Sequence, residues 1–298
     1  MLNNIEYHER NTANNTFSIL IPSWNNLSYL QLCIKSIQKH SHFSHQIIVI
    51  VNEGSDGTLK WIENQKEIDY IYSNENLGIC YALNSCRKLI KTEYVVYVND
   101  DMYFLPDWDK VLFDEIKGIG HNKFMLSATM IEAKGNNPAV IIADYGTDII
   151  SFREEELLKE YKTLYKEDWS GSTWPPNILH IDSWDLIGGM SIEFSPGMYS
   201  DPDLSRKLWE TGVKIFKGKG NSVVYHFGCK STKRIKKNNG RQMFILKWGI
   251  SSKTFMKDYL HIGKEAMEIL PEKHLSKTER LIQKIKRIRA GFQKTKHH

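Results

Sequence analysis

Long apolar runs are missing from this 298-residue chain. The longest, Ile47 to Val51 and Tyr94 to Val98, fall far short of the roughly 20 residues that span a bilayer. The N-terminal stretch MLNNIEYHERNTANN lacks the apolar core of a secretory signal, so a cytoplasmic protein is expected. Cysteine is scarce: Cys33, Cys80, Cys86 and Cys229 show no C-x-x-C spacing. That argues against a disulfide or zinc framework and leaves buried free thiols as the expectation. Neither a Walker motif nor a G-x-G-x-x-G fingerprint is present, and no internal repeat or low-complexity stretch stands out. A net excess of either charge is also small outside the C-terminus. The net charge is +5, but residues 272–298 hold nine Lys or Arg against two Glu, which leaves the first 271 residues at −2. Nucleic-acid binding would rest on basic segments alone, and no nucleic-acid partner is expected.

What is present is a globular composition, with 41% hydrophobic and 25% charged residues, enough for one large domain or two modest ones. The first hundred residues alternate strand-like and helix-like patterns. FSILIP (17–22), IIVIV (47–51), IDYIYS (68–73) and YVVYV (94–98) read as strands. Helices are expected from Leu27 to Ile37, from Thr58 to Gln65 and from Leu77 to Ile90. Strands joined by crossover helices imply an α/β fold with a mostly parallel sheet, which binds ligands at the carboxyl ends of its strands. Polar clusters stand at those ends: Ser23-Trp24-Asn25, Asn52 to Gly57, Asn74-Glu75-Asn76 and Asn99-Asp100-Asp101.

Further along, strands are expected at 124–130, 139–146 and 222–227, and helices at 153–161, 203–211 and 241–260. The Trp-, Gly- and Pro-rich stretch 169–176 has the look of a mobile loop or lid. Several groups suit chemistry. Asn99 and Asp101 are spaced to reach one hard divalent cation, whose remaining ligands would come from substrate phosphates; an Asx turn is the structural alternative. Glu53 is placed to contact a nucleobase or ribose. Asp201 and Asp203 precede an amphipathic helix, and either serves as a general base or as a helix cap. His226, just before a basic cluster from Lys230 to Arg241, is a candidate metal ligand or diphosphate contact.

Together these clusters resemble, in order, the motifs of the family 2 glycosyltransferases, inverting sugar-nucleotide enzymes of the GT-A fold. SILIPSWNN is similar to the family's opening strand and turn, IIVIVNEGSDGT to its acidic turn, and ENLGICYALN to its Asn-x-Gly segment. YVVYVNDDMYFLPDW resembles the D-x-D region, GMYSDPDLSRKLWETGVKIF the E-D-x-D-L segment, and VVYHFGCKST the late His-Gly-x-x-Ser motif. The departures are Asn52 and Glu53 for paired aspartates, Asn99 for the first D-x-D position, and Ser200 for the Glu of the E-D pair.

The resemblance implies a GT-A sheet flanked by helices with a C-terminal helical extension. It divides into an extension at 1–16, a nucleotide-sugar half at 17–131, an acceptor and catalytic half at 132–238, and a helical region at 239–298. Asp201 is the implied base, with Asp203 as the fallback. Asp101 and His226 would hold Mn2+ or Mg2+, and Lys230 and Arg234 would face the diphosphate. Pro22, Ser23, Trp24, Asn25, Glu53, Asn76, Gly78, Asn99 and Asp100 would shape the nucleotide pocket, and Trp174, Trp184 and Gly189 the acceptor side. The partners implied are a nucleoside-diphosphate sugar and a glycan or lipid-linked saccharide in surface polysaccharide assembly. The enzymatic rival, a sugar nucleotidyltransferase, needs a Gly-rich, Arg-containing loop after the first strand that is absent here. A noncatalytic nucleotide- or glycan-binding module is the other alternative. In the tail, Leu281, Ile282, Ile285, Ile288 and Phe292 recur at helical spacing among Lys and Arg, as in a helix on an anionic membrane surface or one packed on the domain or on another subunit.

Overall fold

The structure is a computed structural model that describes residues 5–11, 13–164, 166–228 and 238–292. An edge strand, β1 (Ile5–His8), precedes the alternation of β2 (Phe17–Trp24), α1 (Leu27–His40), β3 (Gln46–Asn52), α2 (Thr58–Glu63), β4 (Asp69–Ser73), α3 (Gly78–Ser85) and β5 (Tyr94–Tyr97). All seven residues of β3 are buried, as a strand covered on both faces requires. Side chains alternate between two cores with the strand period of two. Ile19, Ile21, Val49, Val51, Val96 and Val98 pack with the apolar stripe of α1 and with Ile62 of α2. Leu20, Ile48, Ile50, Val95 and Tyr97 pack with Cys80, Ala82 and Leu83 of α3 on the opposite face.

These strands pair in parallel in the order β4-β3-β2-β5. The chain winds from β2 out to β4 and then returns to the other side of β2. The reversal puts the switch point of the sheet at the carboxyl ends of β2 and β5, the place where open α/β sheets take ligands.

The second half comprises β6 (Met102–Phe104), α4 (Trp108–Ile119), β7 (Phe124–Glu132), β8 (Ile141–Ile142), α5 (Glu154–Glu160), β9 (Trp169–Ser170), β10 (Asn177–His180), α6 (Ile181–Ile187), α7 (Ser200–Glu210) and β11 (Ile215–His226). Its strands extend the same sheet as β5-β10-β7-β11-β6, so one sheet crosses the boundary expected at residue 131. Then follow α8 (Gly240–Trp248), α9 (Ser252–Thr254), a π-helical turn (Phe255–Tyr259) and α10 (Lys277–Phe292). Among the described residues no helix is long and apolar enough to cross a membrane.

Four expectations are corrected. The sheet is mixed rather than mostly parallel, because β10 inserts antiparallel between β5 and β7, β6 runs antiparallel to β11, and β1 runs antiparallel to β4. The stretch 139–146 contributes only the two residues of β8 to the sheet. It then turns, pinned by Tyr225, whose hydroxyl accepts from the Tyr145 N–H at 3.0 Å and donates to the Gly146 carbonyl at 2.7 Å. The stretch 169–176 is not an exposed lid. All of it but Trp174 is buried, held by the hydrogen bond between the Ser172 and Ser127 hydroxyls and by the Gly171 N–H donating to the Phe216 carbonyl. The expected helix 241–260 breaks after Trp248, where Gly249 takes a left-handed conformation. Cys33, Cys80 and Cys86 are buried free thiols as expected; Cys229 lies outside the described residues.

Candidate active site

At the switch point, the strand-end turns are tied to one another by their own side chains. Asp100 accepts from the Ser23 hydroxyl (2.7 Å) and from the Asn26 amide (3.0 Å), which fastens the end of β5 to the turn after β2. Asn25 donates to Glu53 (3.1 Å) and accepts from the Ser55 N–H (2.8 Å), linking the same turn to the loop after β3. Asp56 accepts from the Leu27 N–H (2.8 Å) and from the N–H and hydroxyl of Thr58 (3.1 and 2.6 Å), so one carboxylate serves the first turns of α1 and α2. Asn76 accepts from the Gly78 N–H at 2.9 Å and so closes the turn into α3. Gly78 is buried at φ 69°, and an added Cβ would come within 2.8 Å of Pro196, so the loop leading into α7 lies directly on the start of α3. Asn25, Glu53 and Tyr199 also take positive φ values (47°, 62° and 70°), rare for residues with a side chain and concentrated where function needs a particular backbone.

Among the nucleotide-side candidates, Pro22, Trp24, Asn25, Glu53, Asn76 and Asn99 are half-buried, whereas Ser23, Gly78 and Asp100 are buried. Asp100 and Asn76 thus have structural duties that suffice to account for them.

The two expected metal ligands are brought together. β7 and β11 are parallel neighbours, with Ile131 beside Tyr225, so Glu132 and His226 leave the sheet side by side; β6 pairs Met102 with His226, which puts Asp101 on the other flank. His226 Nε2 lies 3.3 Å from Oδ1 of Asp101 and makes no hydrogen bond there, while Nδ1 meets Glu132 Oε1 at 2.7 Å. Burial lowers the imidazole pKa, but the Asp101 and Glu132 carboxylates outweigh it and raise it to about 10. Glu132, which the sequence reading missed, fixes the ring so that Nε2 faces Asp101. A carboxylate behind a histidine ring in this way is the usual support for a metal-ligating imidazole. Among the described residues no cluster of three or more His, Cys, Asp or Glu side chains is arranged to hold a metal. Asp101 and His226 are thus one oxygen-donor and one nitrogen-donor side chain set side by side, fewer than a cation site built from protein alone needs.

The two aspartates of α7 part company. Asp203 is fully buried and accepts from Trp248 Nε1 (2.8 Å) while pairing with Lys247 Nζ (3.0 Å). Asp201 has Oδ1 shielded from water with no hydrogen-bond partner, and burial alone pushes its carboxyl up to about 7. Neither caps the helix. Asp201 stands beside α3 and β5: its charge, after burial, helps raise the Cys80 thiol to about 12 and holds the buried Tyr97 phenol well above its ordinary range. The Asp101 and Asp100 charges add to the same upward shift of the Tyr97 phenol. Tyr97 was read from sequence only as part of a strand.

The acceptor-side expectations fare differently. Trp184, 2% exposed, belongs to the core beneath α6 and presents no face to a sugar. Gly189 is its packing partner: at φ 63°, a Cβ there would sit 2.9 Å from the Trp184 ring and 2.4 Å from Asn84. Trp174 is half-buried against the core on the α1 side. Lys230 and Arg234 lie outside the described residues.

A mixed sheet with a parallel nucleotide-type half, polar strand ends at its switch point, and an acidic and histidine pair beside them defines the GT-A class of fold. Residues 18–166, half of the chain, match the model of glycosyl transferase family 2, and the chain belongs to that family. It is 26% identical over 88 residues to the Bacillus subtilis (strain 168) protein "Putative teichuronic acid biosynthesis glycosyltransferase TuaG", covering 28% of this chain and 35% of the relative. It is 26% identical over 102 residues to the Escherichia coli (strain K12) protein "Putative colanic acid biosynthesis glycosyl transferase WcaA", covering 32% and 35%. The chain thus spans about a third of the length of the curated relatives it matches. Among solved structures, S. aureus TarS 1–349 in complex with UDP-GlcNAc superposes with a TM-score of 0.55 at 13% identity, covering 94% of this chain and 73% of that one. The UDP complex of TarS 1–349 gives a TM-score of 0.51 at 14% identity, covering 70% and 60%. At these identities the likeness is one of fold.

Proposed function

We propose that the chain is an inverting glycosyltransferase of surface polysaccharide assembly. An acceptor hydroxyl on a glycan or lipid-linked saccharide attacks the anomeric carbon of a nucleoside-diphosphate sugar. The bond from that carbon to the diphosphate oxygen breaks in the same displacement, and the nucleoside diphosphate leaves. Asp201 takes the hydroxyl proton. The observation that carries this reading is its carboxyl, with Oδ1 buried and without a hydrogen-bond partner, raised to about 7 by burial and near enough to Tyr97 to help hold that phenol's pKa up. A base with a pKa near the working pH combines a usable ionised fraction with a strong pull on the proton. Asp101 and His226 would hold Mn2+ or Mg2+, with Glu132 orienting the imidazole. The cation would supply charge neutralisation for the departing diphosphate. Pro22, Trp24 and Glu53, around the switch point, form the nucleotide side. Family membership and the names of the two curated relatives support the reaction class and its place in polysaccharide assembly. The activity belongs in the cytoplasm, at the inner face of the membrane where a lipid-linked acceptor would lie.

The test is calorimetric titration of UDP, GDP, dTDP and CMP species with Mn2+ and with EDTA, on the wild type and Asp101→Ala. Metal-dependent binding of one diphosphate, lost in the variant, is expected. No binding by a folded sample would overturn the donor site and favour a noncatalytic module. Glu132→Gln should weaken the same metal-dependent binding by roughly 10- to 100-fold, the usual cost of losing the group behind a ligating histidine. An unchanged affinity in that variant would show that Glu132 does not position His226.

A further inference from the structure

The last helix is mounted the wrong way round for a globular protein. An amphipathic surface helix ordinarily turns its apolar stripe to the core; α10 docks through its polar side. The residues it buries are Gln283 and Ala290. Gln283 accepts from the Ser251 N–H (2.9 Å) and donates to the Thr254 hydroxyl (2.9 Å), and the Ala290 carbonyl accepts from Gln242. At about 100° per residue, Leu281, Ile285, Ile288 and Phe292 fall in one stripe about 180° from that docking side. They are 57%, 42%, 50% and 84% exposed, and Ile282 beside them is 44% exposed. Lys277 and Lys284 border the stripe on one flank and Arg289 on the other. Over its length α10 has six Lys or Arg against one acid, Glu279, which is occupied by Lys273 and the Ser276 N–H.

We infer that this outward face of α10 is a docking surface for an anionic lipid bilayer. The helix lies in the plane of the interface, the four apolar side chains enter the acyl boundary, and the Lys and Arg rim meets acidic headgroups. Charge decides the occupant. A second copy of the chain would bring the same cationic rim against this one, whereas an anionic surface is complementary along both flanks. The dock through Gln283, Ala290 and Gln242 keeps the helix bound to the domain while its apolar side is engaged. The inference does not depend on sugar transfer and is tested without it.

The experiment is co-sedimentation of the full chain with phosphatidylcholine vesicles and with vesicles containing phosphatidylglycerol. The comparison includes the wild type, the pair Ile285→Glu with Ile288→Glu, and the pair Lys284→Glu with Arg289→Glu. These side chains point away from the domain, so thermal melts should match the wild type and certify folding. Wild type should pellet with the anionic vesicles and not with the neutral ones, and each pair should lose roughly tenfold or more in partition. Equal pelleting on both vesicle types, no pelleting, or undiminished pelleting of either variant would overturn the inference. A dimer in sedimentation velocity that the Ile pair abolishes, without vesicle binding by the wild type, would assign the face to a second copy.

Discussion

Asp201→Asn should lose roughly 10²- to 10⁴-fold in kcat, the range for removing a general base, and should melt at a higher temperature than the wild type at neutral pH. Both effects follow from one enclosed carboxyl. Burial favours its neutral form in the folded chain, with a pKa of about 7, against about 3.9 for an ordinary aspartate in the unfolded chain. Between those values the folded state holds a proton that the unfolded state has lost, so stability falls as pH rises through the window. The penalty is absent below about pH 4 and complete above about pH 7, with a ceiling of roughly 4 kcal/mol. Asn cannot ionise. The gain in Tm should therefore grow from pH 4 to 7 and then level off, while wild-type kcat/KM climbs through pH 7 as the base is freed. A Tm difference that stays flat from pH 4 to 9 would show that this carboxyl does not titrate in that range. A Tm gain with undiminished kcat would remove Asp201 from the chemistry.

Asp203→Ala, two residues on, should move stability in the opposite direction. Its carboxylate is 0% exposed and receives the Trp248 indole and Lys247, joining α7 to the end of α8. Losing a buried charged acceptor that holds two partners costs about 2 to 4 kcal/mol, moderated here because Lys247 keeps its pair with Glu193 at 2.7 Å. Thermal denaturation of the variant should show a drop of several degrees. Asp203→Asn, which retains an acceptor for Trp248, should recover part of it. A Tm within a degree of the wild type for Asp203→Ala would mean that the Trp248 and Lys247 contacts contribute little.

Much of the first half was legible. FSILIP, IIVIV, IDYIYS and YVVYV are apolar on both sides because both faces of the parallel block are covered, and that pattern is local to each segment. The polar clusters at their ends were legible for the same reason. The second half was not. β10 is four residues, Asn177–His180, and nothing within NILH announces that it runs antiparallel between β5 and β7. Trp184 and the stretch 169–176 looked available to ligands because Trp, Gly and Pro suit binding loops. Their burial comes from segments far off in sequence, such as Phe216 and Ser127.

By itself the sequence determined the α/β class, the polar clusters at the strand ends, the family motifs in their order and the amphipathic tail, since each depends on periodicity or spacing within a short stretch. Only the tertiary structure decided which of Asp201 and Asp203 is free, that Glu132 stands behind His226, and which way α10 faces. Those depend on pairings between distant segments: Asp203 with Trp248, Glu132 with His226, Gln283 with Ser251. A carboxylate in a sequence carries no mark of its partner. Its ionisation and its use are settled by what the fold places around it.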